Sequence, residues 1–174
     1  MRRILPLILM LAMLQAPSFA TADQASPKWI EVKWPFLMDQ WGEGKAFQCE
    51  AANCGVQLNL YVRAKIGFCS STTGIADDNE LERLSDFDFV KGPAVALGGG
   101  HEISVAGMKG RLREYATANN PAGHAFAVAL NSNSDAVVAT VVFNGGDSGT
   151  IEPIIIEFLR GKAIQRWVAR TLGL

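Results

Sequence analysis

The stretch Gly55–Ile66, GVQLNLYVRAKI, alternates apolar and polar side chains without interruption. Its apolar members are Val56, Leu58, Leu60, Val62, Ala64 and Ile66, and its polar members are Gln57, Asn59, Tyr61, Arg63 and Lys65. A period of two places these sets on opposite faces of a β-strand and leaves little room for a helix. We therefore predict a long amphipathic strand, with one face in the core and the other face wet or covered by polar groups.

Three cysteines flank this strand: Cys49 and Cys54 before it, and Cys69 after it. If residues 56–66 are extended, their ends lie roughly 33 Å apart, so a Cys54–Cys69 bridge requires the chain to fold back. Residues 50–53 are typical of a turn, which a Cys49–Cys54 bridge would close. We predict that bridge, with Cys69 unpaired. A Cys49–Cys69 bridge and three reduced thiols remain alternatives.

The first twenty residues are typical of a secretory signal peptide. Two arginines precede an apolar run over residues 4–14, and the small residues before Ala20 suit a cleavage site. The run is shorter than a membrane-spanning helix, which needs about 20 residues. We expect cleavage after Ala20, or alternatively after Ala22. The result is one domain over residues 21–174, periplasmic or secreted, with no transmembrane segment.

Charge and composition narrow the class of protein. Removing residues 1–20 leaves 14 basic against 17 acidic residues, and therefore a formal charge of −3. Domains that read nucleic acid usually gather a basic excess on one face, so we expect no nucleic acid partner. The three cysteines and two histidines lack the paired spacing of a zinc site. We expect no metal and no cofactor.

A strand is also predicted near the start of the mature chain. Residues 28–41 carry three tryptophans, and Ile30, Val32 and Trp34 alternate until Pro35 interrupts the pattern. Because proline cannot donate a hydrogen bond to a sheet, we predict an edge strand here. Tryptophans in such a cluster can line a pocket, but packing in the core or at its rim is commoner.

A helix is predicted over residues 77–88. Asp77 and Glu80 have the spacing of a capping box, and Leu81 and Leu84 supply an inward stripe. The segment is acidic, with Asp77, Asp78, Glu80, Glu82, Asp86 and Asp88. The spacing lacks the glycine and the distal glutamate of a calcium loop, so we predict a solvated acidic face.

Two β-hairpins are predicted after a loop over residues 91–100. The four strands cover residues 102–106, 111–118, 124–130 and 136–143. The glycines at 98–100 lack the Lys-Ser/Thr pair of a phosphate-binding loop. The last two strands are apolar on both faces, which is typical of strands in the middle of a covered sheet.

The C-terminal residues 153–172 predict a helix. Its later turns carry Arg160, Lys162, Arg166 and Arg170, which suit the negative end of the macrodipole. Apolar residues before and after Gly161 point in nearly opposite directions at 100° per residue. We therefore predict a break or bend at Gly161, or an opening stretch that is buried all round.

These elements predict an α+β domain, with a mostly antiparallel sheet of six or seven strands and helices on both faces. Their order resembles the Mog1/PsbP-like α/β/α sandwich over nearly all of the mature chain. That resemblance implies an exported, bacterial-type binding or accessory protein, and it carries no site residues.

Residues 146–149, Gly-Asp-Ser-Gly, match the nucleophile motif of trypsin-like proteases. Neither His101 nor His124 has the Ala-Ala-His-Cys setting of those enzymes, so we favour a turn between strand and helix. Each histidine begins a strand, and the two imidazoles would approach each other if the hairpins were adjacent. Hydrogen bonds to the backbone are the commoner role for such residues.

The remaining candidate site is a basic, aromatic-edged strand face. Its residues are Tyr61, Arg63, Lys65, Arg111, Arg113 and Tyr115. If these faces align, they suit an anionic ligand or an acidic protein partner, although ordinary solvated strand residues give the same pattern. We predict an exported binding or accessory protein without catalytic activity, which holds an envelope protein or an anionic small ligand and in which reversing Arg63 and Lys65 leaves thermal stability nearly unchanged. The alternative is a small secreted hydrolase with a site near His101 and His124.

Overall fold

A computed structural model describes residues 27–68, 74–87, 93–118 and 122–174. Within these ranges the chain forms one antiparallel sheet of eight strands, together with four helices. The strands are β1 (Trp29–Val32), β2 (Lys45–Cys49), β3 (Leu58–Lys65), β4 (Ala94–Ala96), β5 (His101–Val105), β6 (Met108–Thr117), β7 (Gly123–Ser132) and β8 (Asp135–Asn144). The helices are α1 (Ala51–Cys54), α2 (Asp78–Leu84), α3 (Ser148–Arg160) and α4 (Lys162–Leu172).

The strands lie in the order β1-β2-β3-β8-β7-β6-β4, and β5 pairs with the first half of β6. The sheet is therefore antiparallel as predicted, but the expected six or seven strands are too few. The additional strand is β4, in a segment predicted as loop. Ala94 pairs with Thr117 and Ala96 with Tyr115, so β4 is defined by its pairing with the end of β6.

The long amphipathic strand is confirmed as β3, which pairs with β2 on one side and β8 on the other. The prediction that the last two strands lie mid-sheet is also confirmed, because β7 and β8 have neighbours on both sides. Most of their residues are buried on both faces, which explains why neither strand alternates in polarity. The edge strand near the tryptophans is β1, and it ends before Pro35.

The core consists of two clusters that take alternate residues of β8. Val137, Ala139 and Val141 belong to the larger cluster, which includes the buried side chains of α3 and α4. Ala136 and Val138 belong to the smaller cluster, which includes Leu81 and Leu84 of α2. None of the helices among the described residues is long and apolar enough to cross a membrane.

The break at Gly161 is confirmed, since α3 ends at Arg160 and α4 begins at Lys162. Both helices bury side chains in the same cluster: Ile151, Ile155 and Leu159 from α3, and Ile164 and Val168 from α4. On a straight helix these two apolar stripes would point in different directions. The bend at Gly161 turns both of them toward the same core cluster. Helix α3 begins five residues earlier than predicted, so its proline lies inside the helix.

The acidic helix α2 is shorter than predicted. Asp77 caps it by accepting a hydrogen bond from the Glu80 N–H at 2.9 Å, as the capping-box spacing indicates. The helix ends at Leu84, and the Ser85 N–H caps it by donating to the Leu81 carbonyl. Asp86 therefore lies beyond the helix, although the predicted helix included it.

The Cys49–Cys54 disulfide is confirmed and closes the turn that contains α1. The two half-cystines lie at the end of β2 and the end of α1, and both are buried. Cys69 and residues 1–20, for which a signal peptide is predicted, lie outside the described residues.

Candidate functional site

The register places both halves of the predicted basic face on the same side of the sheet. Tyr61 on β3 pairs with Thr140, which pairs with Ala127, which in turn pairs with Arg113 on β6. Two strands, β8 and β7, thus separate the two groups of basic residues. Between them the sheet presents small side chains, such as Ala127 and Ala129, on which α2 packs.

Acidic side chains of α2 and the residues after it lie over this face and neutralise it. Three carboxylates spaced four residues apart, Asp78, Glu82 and Asp86, each bind at least one arginine of the sheet. The predicted solvated acidic face is therefore wrong for Asp86, which is buried, whereas Glu82 is exposed and Asp78 is partly exposed while each binds an arginine. The carboxylates that bind this basic face therefore belong to the same chain.

Arg63 and Lys65 are buried, each with only 5% of its surface exposed. The Arg63 guanidinium donates from Nε to Asp86 at 2.7 Å and from Nη1 to both oxygens of Asp39 at 2.7 and 2.8 Å. Burial alone would lower the pKa of Arg63, but hydrogen bonds and charges from Asp86 and Asp39 outweigh it and raise that pKa. Lys65 Nζ lies 2.8 Å from Asp86 and donates to the Leu84 carbonyl at 2.7 Å.

Arg63 and Lys65 therefore do not form an exposed binding face, and of the two predicted environments for this strand face, water or polar groups, polar groups cover it here. Alternation in sequence shows that one strand face is polar, but it does not show whether water or another charged segment covers that face. Reversing both charges would place two carboxylates beside Asp86 in a buried site, so we now expect it to destabilise the fold rather than leave it unchanged. Tyr61 is half-buried against Phe36, with ring centroids 4.8 Å apart.

Arg111 and Arg113 are held by α2 and by the glycine-rich loop before β5. Arg111 Nη2 donates to Asp78 at 2.8 Å and to the Gly100 carbonyl at 2.7 Å. Arg113 Nη1 donates to Glu82 at 2.8 Å. A Cβ at Gly100 would lie 2.5 Å from Asp78 Oδ1, so glycine is required for this approach.

Tyr115, the last residue of the predicted basic face, is only 2% exposed. Its ring packs against Phe87, with centroids 4.6 Å apart. Burial, followed by the nearby charge of Glu82, raises the pKa of Tyr115 to about 12. Tyr115 therefore contributes to the smaller core cluster, and its placement differs from that of an exposed binding residue.

The two histidines lie on strands that flank β6, but they do not approach each other. His101 pairs with Leu112 and His124 with Ala116, positions about 13 Å apart along β6. Each imidazole binds a glutamate instead: His101 Nε2 lies 2.9 Å from Glu152, and His124 Nδ1 lies 2.8 Å from Glu114. Sequence reasoning missed both glutamates, because only the strand register and the position of α3 bring them to the rings.

Ser148 joins one of these pairs. Its hydroxyl donates to Glu114 Oε1, the same oxygen that lies beside His124. The carboxylate thus lies between serine and histidine, whereas a Ser-His-Asp triad has histidine in the middle. Asp147 binds the Thr150 hydroxyl at 2.7 Å, and this bond, with those from the first backbone N–H groups of α3, lowers the pKa of Asp147.

Two adjoining clefts lie where α3 and α4 meet β1. One, of about 220 Å³, is lined mainly by apolar side chains, among them Trp29, Ile154, Phe158 and Ile164, together with Glu157. The other, of about 610 Å³, is lined by Glu31, Lys45, Arg166, Trp167 and Arg170, among others. Ala163 borders both. The sequence showed no signal for either cleft beyond the tryptophan cluster.

Helix α4 presents a row of basic side chains beside these clefts. Lys162, Arg166 and Arg170 are four residues apart and exposed. Arg166 and Arg170 donate from Nε to the backbone carbonyls four residues before them, each at 3.2 Å. No carboxylate of the described residues lies within ion-pair distance of this basic row.

Sequence comparison finds no protein-family model that matches this chain and no curated protein with significant similarity to it. Over the described ranges, moreover, no group of three or more His, Cys, Asp or Glu side chains is placed to hold a metal ion. Function must therefore be argued from the described surfaces and clusters themselves.

Proposed function

We propose that this protein is an exported binding or accessory domain that holds an acidic protein partner through the basic row of α4. The single observation that carries the proposal is the contrast between two sets of cations. The arginines of the sheet face are ion-paired with carboxylates of the same chain. Lys162, Arg166 and Arg170, by contrast, are exposed, and no carboxylate of the described ranges pairs with them. A buried cation that already has an ion-pair partner contributes little to the binding of a ligand. Exposed cations beside a cleft, in contrast, attract an anionic ligand.

Export is supported by two features. The pattern of residues 1–20 is typical of a signal peptide, and the Cys49–Cys54 disulfide is of a kind that persists in oxidising compartments such as the periplasm.

We further infer that helices cover both faces of the sheet. Alternate residues of β8 contact α2 in one cluster and α3 with α4 in the other. The order of strands and helices along the chain supports the resemblance to Mog1/PsbP-like sandwiches.

The basic row is tested with fluorescein-labelled poly-glutamate and the mature protein, by fluorescence anisotropy at low and high salt. We expect binding that weakens with salt and that falls at least about tenfold in Arg166→Glu/Arg170→Glu. Arg83→Glu/Lys109→Glu is the matched control, because it changes the net charge equally at positions outside α4. If both double variants weaken binding equally, net charge alone explains the binding and the proposed site is wrong.

A second candidate function is hydrolysis of small esters at Ser148. It is favoured by the hydrogen bond from the Ser148 hydroxyl to Glu114, whose carboxylate also lies beside His124. A carboxylate within hydrogen-bond reach of a serine hydroxyl has the placement of a general base, with the imidazole holding its orientation. The same contacts also serve simply to tie the first turn of α3 to the sheet.

A fluorophosphonate probe distinguishes these two roles. A nucleophilic Ser148 becomes labelled in the wild-type protein, and the adduct is located by peptide mass spectrometry. Labelling and turnover of a generic ester must then disappear in Ser148→Ala and in His124→Ala. Absence of labelling at Ser148 in a folded protein would exclude the hydrolase and leave the structural role.

A further inference from the structure

The strand β1 ends the sheet next to the basic row. It pairs with β2, and no strand among the described residues pairs with its outer edge. None of its four residues is buried, and the Ile30 side chain is 47% exposed. In an antiparallel sheet the N–H groups of every second residue of an edge strand point away from its partner, and this leaves unpaired backbone donors and acceptors along β1.

The two clefts adjoin this edge on the side of the sheet where α3 and α4 pack. Trp29 and Glu31, which share one face of β1, line the apolar and the basic cleft respectively. Ile154, Phe158 and Ile164 complete the apolar wall, beside the basic side chains of α4. A strand added at β1 would direct every second side chain toward these two clefts.

Charge at this edge favours an acidic segment. Lys28 and Lys33 flank β1, both exposed and neither in an ion pair with a described residue. The basic row of α4 adds three further cations. The carboxylate of Glu31 is already bound by Lys45, and Glu157 is the other acidic residue lining the two clefts. The five cations Lys28, Lys33, Lys162, Arg166 and Arg170 outnumber it, so the edge carries a net positive charge. Lysines also protect edge strands from aggregation, but that role does not explain a cleft with apolar and basic walls beside the strand.

We propose that the acidic partner contributes an extended segment that pairs with the outer edge of β1 as an additional strand. The inference rests on the proposed function and specifies the conformation of what is bound. Backbone hydrogen bonds to β1 supply affinity, an apolar side chain of the segment fills the cleft beside Trp29, and alternate carboxylates bind Arg166 and Arg170. This is the general mode of strand addition, in which the backbone gives affinity and alternate pockets give specificity.

The test uses capped peptides of one composition. Leu-Thr-Glu-Thr-Glu and its reverse sequence place leucine and both glutamates on one face of a strand, whereas Leu-Glu-Glu-Thr-Thr does not. Binding to the mature protein is measured by titration, and amide hydrogen exchange is followed by NMR at residues 29–32. We expect an alternating peptide to bind more tightly than the shuffled peptide, and to slow exchange about tenfold at every second amide of β1.

Each other result points to a different conclusion. If poly-glutamate binding depends on Arg166 and Arg170 but the β1 amides stay unprotected, or the shuffled peptide binds equally well, strand addition is wrong and the proposed function stands. If no acidic probe binds, the proposed function is itself wrong. Protection of β1 that rises with protein concentration without peptide would assign the edge to a second copy of this chain, and it would overturn the inference.

Discussion

Replacing Asp86 with asparagine should destabilise the protein strongly, although the shape of the side chain hardly changes. Asp86 has 6% of its side chain exposed and accepts hydrogen bonds from Arg63, while Lys65 Nζ lies 2.8 Å away. In Asp86→Asn, Lys65 keeps the Leu84 carbonyl, and Arg63 keeps the half-exposed Asp39. Removing one partner of a buried ion pair costs about 3–5 kcal/mol. Because Arg63 retains the Asp39 carboxylate, we expect a loss of stability at the lower end of this range, about 3 kcal/mol.

The measurement is urea and thermal unfolding of the mature protein, followed by tryptophan fluorescence. For a domain of this size, a loss of 3 kcal/mol lowers the melting temperature by roughly 6–12 °C. Asp39→Asn should cost about 1 kcal/mol or less, since its side chain is 44% exposed and water screens the charge. Glu80→Gln, which breaks a surface pair with Arg83, is the control and should cost about 0.5 kcal/mol or less.

A second substitution tests the mechanism. Arg63→Met removes one of the two buried cations that lose this carboxylate in Asp86→Asn, so the double variant should be more stable than the sum of the two single losses indicates, by about 0.5–3 kcal/mol. The reasoning would be refuted if Asp86→Asn and Glu80→Gln cost the same within error, or if the two losses at Asp86 and Arg63 simply add.

Three further predictions follow from the fold. Reducing the disulfide, whose half-cystines are five residues apart, should cost about 2 kcal/mol in urea titrations with and without reductant. The pKa of Asp78 is lowered chiefly because its carboxylate accepts a hydrogen bond from the Gly100 N–H. Burial would raise the pKa of Asp39, but hydrogen bonds to its carboxylate outweigh burial and lower that pKa. Their contribution is present above the unfolded pKa of about 3.9 and is lost as pH falls toward the folded values, so stability should decline below about pH 4, less steeply in Asp78→Asn. Gly110→Ala would place a Cβ 1.9 Å from the Ala129 carbonyl oxygen, so we expect more than about 3 kcal/mol of destabilisation by calorimetry, against about 0.5 kcal/mol or less for Gly99→Ala.

Elements with a strong local pattern were predictable. The strand around Leu60 follows from strict alternation, and the break at Gly161 follows from two apolar stripes that one straight helix cannot bury together. The strand over 94–96 was missed because three residues are too few to show a period. It exists as a strand only because the end of β6 extends past β5 and leaves a partner for it.

The candidate sites were less predictable, since they depend on contacts between distant segments. Sequence reasoning recognised Arg63 and Arg111 as basic residues on strand faces, but their carboxylates lie 23 and 33 residues along the chain. The basic row of α4 was explained by the macrodipole. That none of the carboxylates in the described part of the chain pairs with it becomes clear only once those carboxylates are placed. The shared carboxylate of Glu114 likewise requires β6 and the start of α3 to meet.

Sequence alone thus determined the strands with clear periodicity, the position of the helix break and the short-range disulfide, because each depends on residues a few positions apart. Tertiary structure decided which charges are neutralised and which remain exposed at the surface. The free energy of a charged side chain depends on its burial and on the distance to the opposite charge. For Arg63 and Arg166, residues of the same type, those quantities are set by sheet register and by the segment that packs above, so one became part of the interior and the other part of the surface.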